Sequence, residues 1–160
     1  MAWSDEIIPD LRARLGDDGA TLRFTDAQLR VLWLSAGRQV ISDCYGVDFV
    51  NTYVISLLSA TITPDPTVAG TVDPDYMTLT TLKAACIANQ GAATKGAGQA
   101  IAIGSSGGDR IDLRDTAKAR TALLKTGACQ EYIDAKTRFL LENQGQNRLG
   151  IGVSTAVRAY

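Results

Sequence analysis

The chain has 160 residues, of which 46% are hydrophobic and 21% charged, and its formal net charge is −1. This length and composition indicate a single soluble globular domain that is long enough to bury a core, and the near-neutral charge excludes binding of nucleic acid by bulk positive charge. The absence of histidine excludes His-containing catalytic triads and imidazole metal ligands.

The cysteines and the N-terminus bear on the compartment. Cys44, Cys86 and Cys129 all fall in predicted helices, and no pair of them has metal-ligand spacing. Their odd number predicts buried free thiols in place of a disulfide framework, and therefore a reducing compartment during assembly. Residues 1–10 carry acids where a secretory signal carries bases. No apolar run reaches the roughly 18 residues of a membrane span, so no membrane association is expected.

Two helices are predicted in the first quarter of the chain. Residues 3–15 form a short helix with Ser4 as its N-cap, and a turn at residues 16–19 ends it. We expect Asp17 and Asp18 to be solvated in that turn. Residues 25–44 form a second helix, because Thr25 and Gln28 have the spacing of a capping box. Its apolar positions make one continuous stripe and a second line beside it: Leu29, Trp33, Ala36, Val40 and Cys44, then Val31, Leu34 and Ile41. A helix this apolar is either central or shared with a neighbouring subunit.

The middle of the chain combines a β-rich segment with a third helix. Residues 47–63 are rich in β-branched side chains and favour strand, although a helix over residues 51–58 fits the periodicity as well. Asp73 is placed to cap the third helix, and Pro74 takes its favoured first position. This helix is predicted to reach about Lys95 and to fray or bend near Gly96, because glycine weakens helices.

A hairpin, a long helix and a tail are predicted after it. The hairpin spans residues 99–115, with arms at 100–103 and 110–113. The helix over residues 115–143 carries apolar residues at spacings of three and four. Residues 145–160 hold two arginines and no acid, whereas residues 1–144 hold 14 basic and 17 acidic residues. The fold class is therefore mainly α: a bundle of about four helices (residues 1–144) with a small β-hairpin or sheet element and an extended C-terminal arm (145–160).

No catalytic, metal or cofactor site is predicted. The glycines at 96 and 98 lack the third glycine of a dinucleotide fingerprint. Asp109, Asp112 and Asp115 lack the ligand order of a calcium loop, and alternation along a strand followed by a helix cap explains them. Two alternative functions stay open: a small helical enzyme, such as a metal-dependent hydrolase or nuclease with dispersed carboxylates, or a dimeric helical binding module.

Several short motifs in a fixed order resemble the head-to-tail connector, or adaptor, proteins of tailed bacteriophages. The resemblance covers about residues 3–142. Its motifs are residues 3–12 (WSDEIIPDLR), 24–29 (FTDAQL), the helix with Ala36 and Val40, 62–66 (ITPDP), 82–85 (LKAA) and 103–112 (IGSSGGDRID). The resemblance implies a non-enzymatic virion protein without cofactors, assembled in the host cytoplasm and located at the head–tail junction.

The resemblance also implies partners. Such proteins form a ring, usually of twelve copies, between the portal protein and the next neck or tail protein, a stopper or tail terminator. DNA passes through the central channel without specific binding. The implied portal-binding arm comprises Arg148, Leu149, Ile151, Val153, Val157, Arg158 and Tyr160. The tip of the predicted hairpin is expected to meet the downstream partner, and it comprises Ser105, Ser106, Gly107, Gly108 and Asp109.

Overall fold

The computed structural model describes residues 3–17, 19, 21–104 and 127–152, with side chains for residues 3–17, 19, 21–91 and 127–143. These residues form four helices: α1 (Trp3–Leu15), α2 (Asp26–Asp43), α3 (Pro74–Gly104) and α4 (Ala128–Gly152). A hairpin of two short strands, β1 (Val54–Ser56) and β2 (Thr61–Thr63), lies between α2 and α3. The predicted fold class, a mainly helical bundle with a small β element, is confirmed.

The first two helices form as their sequences predict. Thr25 Oγ1 accepts the backbone N–H of Gln28 at 3.3 Å, and Gln28 Oε1 accepts that of Thr25 at 2.9 Å. The capping box at the start of α2 is therefore complete. The predicted stripe of α2 is fully buried, but of the second apolar line only Leu34 is buried. Val31 and Ile41 remain 43% and 36% exposed.

The central helix α3 packs against α1, α2 and α4 through its first half. Its close approach to α2 depends on Gly37, because a Cβ at that position would overlap the Tyr76 hydroxyl. Three aromatic rings pack against Tyr76. Trp33 lies edge-on to it at 5.9 Å between centroids, Phe49 at 5.3 Å, and Tyr53 stacks on it at 4.0 Å. Phe49 in turn stacks on Phe139 of α4.

The β-rich segment forms a hairpin, and the helical alternative for residues 51–58 is wrong. The strands pair antiparallel, with Val54 opposite Thr63, Ile55 opposite Ile62 and Ser56 opposite Thr61. Ile55 and Ile62 point into the core, whereas their strand neighbours are outside it, as the two-residue period of a strand requires. Four residues, 57–60, connect the strands.

The hairpin predicted at residues 99–115 is wrong in its first arm. Residues 100–103, predicted as a strand, lie in α3, which runs without interruption past Lys95 and Gly96 to Gly104. Its alternation of Ala and Ile fits a helix equally well, because alanine is the strongest helix former. The second arm, residues 110–113, and the turn before it lie outside the described residues.

The long C-terminal helix has other bounds than predicted. It begins at Ala128, after Gly127, whose φ of +84° is not helical. Residues 115–126, predicted as its start, lie outside the described residues. The helix continues past the predicted end at residue 143 to Gly152, so the predicted C-terminal arm starts as a helical extension.

Helices α3 and α4 lie antiparallel and project past one another. Cys129, at the start of α4, is joined to Cys86 in the middle of α3. At the other end, the charge of Glu142 acts on Asp75 at the start of α3 and, after burial and Asp73, helps to raise the pKa of Asp75. Beyond these points α3 continues to Gly104 and α4 to Gly152. At 1.5 Å per residue, the extensions are roughly 27 Å and 15 Å long.

The cysteine prediction is wrong for two of the three residues. Cys86 and Cys129 form a disulfide across 43 positions of sequence, and only Cys44 is a buried free thiol. The pairing depends on two helices meeting at one point, which cysteine spacing in the sequence does not reveal. The bond holds the start of α4 against α3.

The expectation of a solvated turn is wrong at Asp17, which is 2% exposed. Its carboxylate accepts the backbone N–H of Arg23 at 2.6 Å and of Phe24 at 3.2 Å, and the Arg12 guanidinium at 2.9 Å. The hydrogen bond from Arg23 contributes most to lowering the pKa of Asp17; burial opposes it, and the bond from Phe24 and the Arg12 charge reinforce it. The α1–α2 loop is thus organised around one carboxylate.

We expect Gly37→Ala to lower the free energy of unfolding by about 1–3 kcal/mol, since the added methyl must displace the Tyr76 ring in a packed core. The matched control is Gly91→Ala in α3, where a Cβ meets open space. That change should stabilise the helix by up to about 1 kcal/mol. Urea unfolding measures both; equal effects of the two variants would contradict the close approach of α2 and α3.

We expect Asp17→Asn to destabilise the protein near neutral pH and to lose that effect in acid. Because the folded-state pKa lies below the ordinary value of 3.8, the stabilisation by the carboxylate is present above the unfolded value and is lost as pH falls through the folded one. Unfolding free energies of both proteins from about pH 6 down to about pH 2 measure this. Asp48→Asn, an exposed control, should stay within about 0.5 kcal/mol of wild type throughout.

Candidate functional site

The predicted site residues fall mostly beyond the described part of the chain. Arg148, Leu149 and Ile151 lie in the last two turns of α4. The remaining arm residues lie outside the described residues: Val153, Val157, Arg158 and Tyr160. The residues predicted to meet a downstream partner, 105–109, lie outside them as well. The described residues offer two other candidate sites, a polar cluster between helices and a pair of exposed apolar surfaces.

The polar cluster joins α2, α3 and α4. The carboxylate of Asp43, at the end of α2, accepts the Tyr132 hydroxyl at 2.7 Å and the Lys83 ammonium at 2.9 Å. Lys83 Nζ also lies 4.6 Å from the centre of the Tyr132 ring, in cation–π geometry. The sequence carries no signal for this cluster, because its members are 40 to 89 positions apart.

The electrostatics of the cluster favour a structural role. Burial works to raise the pKa of Asp43, but the hydrogen bonds from Tyr132 and Lys83 outweigh it and lower that pKa. Burial, reinforced by the bond to Asp43, raises the pKa of Tyr132 far above its ordinary value. Burial also raises the pKa of the Cys44 thiol. A general acid or base needs a pKa near the working pH, and these shifts move each group away from neutrality.

The first apolar surface is the hairpin, which carries no charged residue between Asp48 and Asp65. Leu58, in its turn, is 100% exposed, and Val54 on β1 is 70% exposed. The turn is held by hydroxyls: Ser59 Oγ donates to Ser56 Oγ at 2.7 Å and lies 2.9 Å from Thr61 Oγ1. The hairpin therefore presents two exposed apolar side chains, Val54 and Leu58, on an ordered support.

The hairpin is fixed to the body at its base. Arg38 of α2 donates to the Ile55 carbonyl oxygen at 2.6 Å, and Tyr53 donates to the Asp73 carboxylate at 3.0 Å. Ala60, which closes the turn, has a φ of +51°. That left-handed conformation is uncommon for a residue with a Cβ and is retained where the surroundings enforce it. The position of Leu58 is thus set by contacts of the segment before the turn and by the conformation of Ala60 at its end.

The second apolar surface is a largely open face of α2. Spacings of three and four place its residues on one side of the helix, next to the buried stripe, and Leu32 is partly buried against the core. None of them is charged: Ala27, Gln28, Val31, Leu32 and Ser35. Val31 belongs to the second apolar line of α2 and is 43% exposed.

Comparisons with protein-family models, with curated proteins and with solved structures found no significant match. Among the described residues, no group of three or more cysteine, aspartate and glutamate side chains is arranged to hold a metal ion. None of the helices in the described ranges is both long enough and apolar enough to cross a membrane.

We expect Tyr132→Phe to destabilise the protein by about 1–3 kcal/mol, because the charged Asp43 carboxylate loses the hydrogen bond that the Tyr132 hydroxyl donates. Tyr45→Phe is the matched control, since Tyr45 is 94% exposed and should change stability by less than about 0.5 kcal/mol. Thermal and urea unfolding measure the difference. A Tyr132→Phe protein as stable as the control would show that the cluster does not hold the three helices together.

Proposed function

We propose that this protein is a structural subunit of a ring that connects the portal of a tailed bacteriophage to the next neck or tail protein. The observation that carries the proposal is the charge-free hairpin with its fully exposed Leu58. The order of the short motifs that resemble connector proteins supplies the identity of the assembly. No catalytic activity is part of the proposal.

The exposed apolar side chains favour an assembled state. An isolated exposed leucine needs no explanation, but clustered apolar groups on a small protein mark interaction surfaces. Here exposed apolar side chains occur on ordered structure: on the hairpin, at Val54 and Leu58, and at two separate points of α2, Val31 and Ile41. A ring subunit meets a neighbour on each side, and two separate apolar surfaces match that need.

The projecting helices suit a connector that spans two partners. Helices α3 and α4 extend past one another in opposite directions. In the proposed assembly the C-terminal extension of α4, continued by residues 153–160, docks on the portal. Arg148 and Arg158 give this segment a positive charge, against the acidic excess of residues 1–144. The opposite end of the subunit then faces the stopper or tail terminator.

The charge of the body suits DNA passage. A ring that surrounds a moving polyanion should not bind it, and the affinity of a protein for DNA grows with the phosphates it neutralises. Residues 1–144 hold 17 acids against 14 bases. In the proposed ring, DNA therefore passes through the channel without specific contacts, and the subunit is part of the virion at the head–tail junction.

The test is electron microscopy of the protein mixed with the portal ring encoded by the same virus. The full chain should add a second ring layer, typically of twelve copies. Deletion of residues 145–160 should abolish that layer, whereas deletion of residues 153–160 shows how much of the binding lies beyond α4. Circular dichroism of each truncated protein checks that the body still folds. A wild-type chain that adds no layer would refute the connector proposal.

A further inference from the structure

We propose that the bond between Cys86 and Cys129 is a reversible redox switch, which small-molecule thiols open and small-molecule disulfides close. Opening releases the first turn of α4 from α3 and leaves the rest of the described fold in place. The switch is a property of the single chain, so it holds whether or not the chain forms the ring proposed above. It makes the bond a regulatory contact that is open in a reducing compartment and closed in oxidising surroundings.

The two sulfurs lie at the margin of the fold. Both cysteines are nearly buried, but neither belongs to the main core cluster, which contains the third cysteine, Cys44. Gln90, one turn after Cys86 on α3, is exposed. Its side-chain Nε2 lies 3.5 Å from Cys86 Sγ and 3.8 Å from Cys129 Sγ. The bond therefore lies directly beneath an exposed side chain, and a small thiol can approach it without entering the core.

The surroundings of Cys129 stabilise the reduced state. Cys129 is the second residue of α4, and the first N–H groups of a helix have no partner within it and form its positive end. A thiolate is stabilised at such a position. The Nε2 group of Gln90 is a hydrogen-bond donor within reach of both sulfurs. A disulfide whose reduced form is stabilised in this way is reduced more readily than an ordinary structural one.

The exchange proceeds in two balanced steps. The thiolate of a small molecule attacks Cys86 Sγ and forms a mixed disulfide there, while the bond to Cys129 Sγ breaks and its electron pair leaves with that sulfur. A second small-molecule thiolate attacks the small-molecule sulfur of the mixed disulfide, so that Cys86 leaves as a thiolate and a small-molecule disulfide is released. The two protons of the incoming thiols pass to the two cysteines. The small-molecule disulfide reverses both steps.

The third cysteine stays out of the exchange. Cys44 is a free thiol that lies fully within the core, and burial raises its pKa. Because the thiolate and not the thiol is the attacking species, Cys44 does not attack the bond. It becomes reactive only when the core opens, so it reports global unfolding in any experiment on the other two cysteines.

Two contacts further along α4 keep the helix docked when the bond is open. The Tyr132 hydroxyl donates to the Asp43 carboxylate at 2.7 Å. Phe139 stacks on Phe49, with the ring centroids 5.0 Å apart. Both contacts follow Cys129 along the helix and neither involves a sulfur, so reduction leaves them intact.

The first turn of α4 has weaker contacts besides the bond. Ala128 packs beside the core, but its side chain is small. Glu131 forms an ion pair with Arg14 at 3.8 Å, and both side chains are exposed, so that pair contributes little. Gly127, with a φ of +84°, precedes the turn and has no side chain to restrain it. Reduction therefore frees residues 128–131 selectively.

The first experiment is a redox titration of the full-length protein in mixtures of reduced and oxidised glutathione at neutral pH. A brief pulse of iodoacetamide followed by mass spectrometry counts the reactive thiols in each mixture. Cys86 and Cys129 should change together from disulfide to alkylated thiol, should close again when the ratio is reversed, and should do so while Cys44 stays unmodified. A bond that stays closed in the most reducing mixture, or that opens only when Cys44 also reacts, would overturn the switch.

Hydrogen exchange of the oxidised and the reduced protein measures what the switch releases. The backbone N–H of Glu131 donates to the Gly127 carbonyl oxygen at 3.1 Å, and its amide should lose protection on reduction. The amides around Phe139 should keep theirs, because the Phe49 contact remains. Unchanged protection at Glu131, or a loss that extends equally along α4, would contradict a local release.

The variant Gln90→Glu tests the stabilised reduced state. It replaces a donor beside the sulfurs by a negative charge, which disfavours a thiolate there. Half-reduction should then need a roughly tenfold larger ratio of reduced glutathione, as expected when a hydrogen bond to a charged group is lost. Asn89→Asp is the matched control, because it adds the same charge at the neighbouring exposed position and should titrate like the wild type. Equal titrations of the two variants would refute the stabilised reduced state on which the switch depends.

Discussion

The buried carboxylate of Asp73 joins the central helix to the segment that carries the hairpin. It is 1% exposed and accepts the backbone N–H of Tyr76 at 3.0 Å, which caps the start of α3. It also accepts the backbone N–H of Val50 and the hydroxyl of Tyr53, each at 3.0 Å. Helix α3 contacts each of the other helices, so one side chain sets both the start of the core and the position from which the hairpin leaves it.

The local parts of this design are readable in the sequence. The capping box of α2, the Asp73 cap followed by Pro74, and the β-rich segment before it each combine a residue preference with a short spacing, and the structure confirms all three. Such signals work because their partners lie within a few positions along the chain. They sufficed to predict a mainly helical bundle with a small β element.

The parts that the sequence did not reveal depend on distant partners or on patterns with two meanings. The disulfide and the Asp43 cluster join residues from different helices. Asp17 was predicted to be a solvated turn residue. The backbone N–H groups of Arg23 and Phe24 reach its carboxylate only when the loop folds back. Residues 100–103 alternate like a strand but lie in a helix. The exposed apolar face of α2 was predicted only in part. The apolar residues of α2 indicated a helix that is either central or shared with a neighbouring subunit.

The covalent link between α3 and α4 has a mechanical consequence. Two antiparallel helices held by side-chain packing alone can slide along each other by small shear movements. A bond between Cys86 and Cys129 fixes one point of their contact. Sliding of the two helices past each other is therefore blocked at that point. With extensions of roughly 27 Å and 15 Å beyond the overlap, a pull along the axis of one helix is therefore carried to the other helix through this bond.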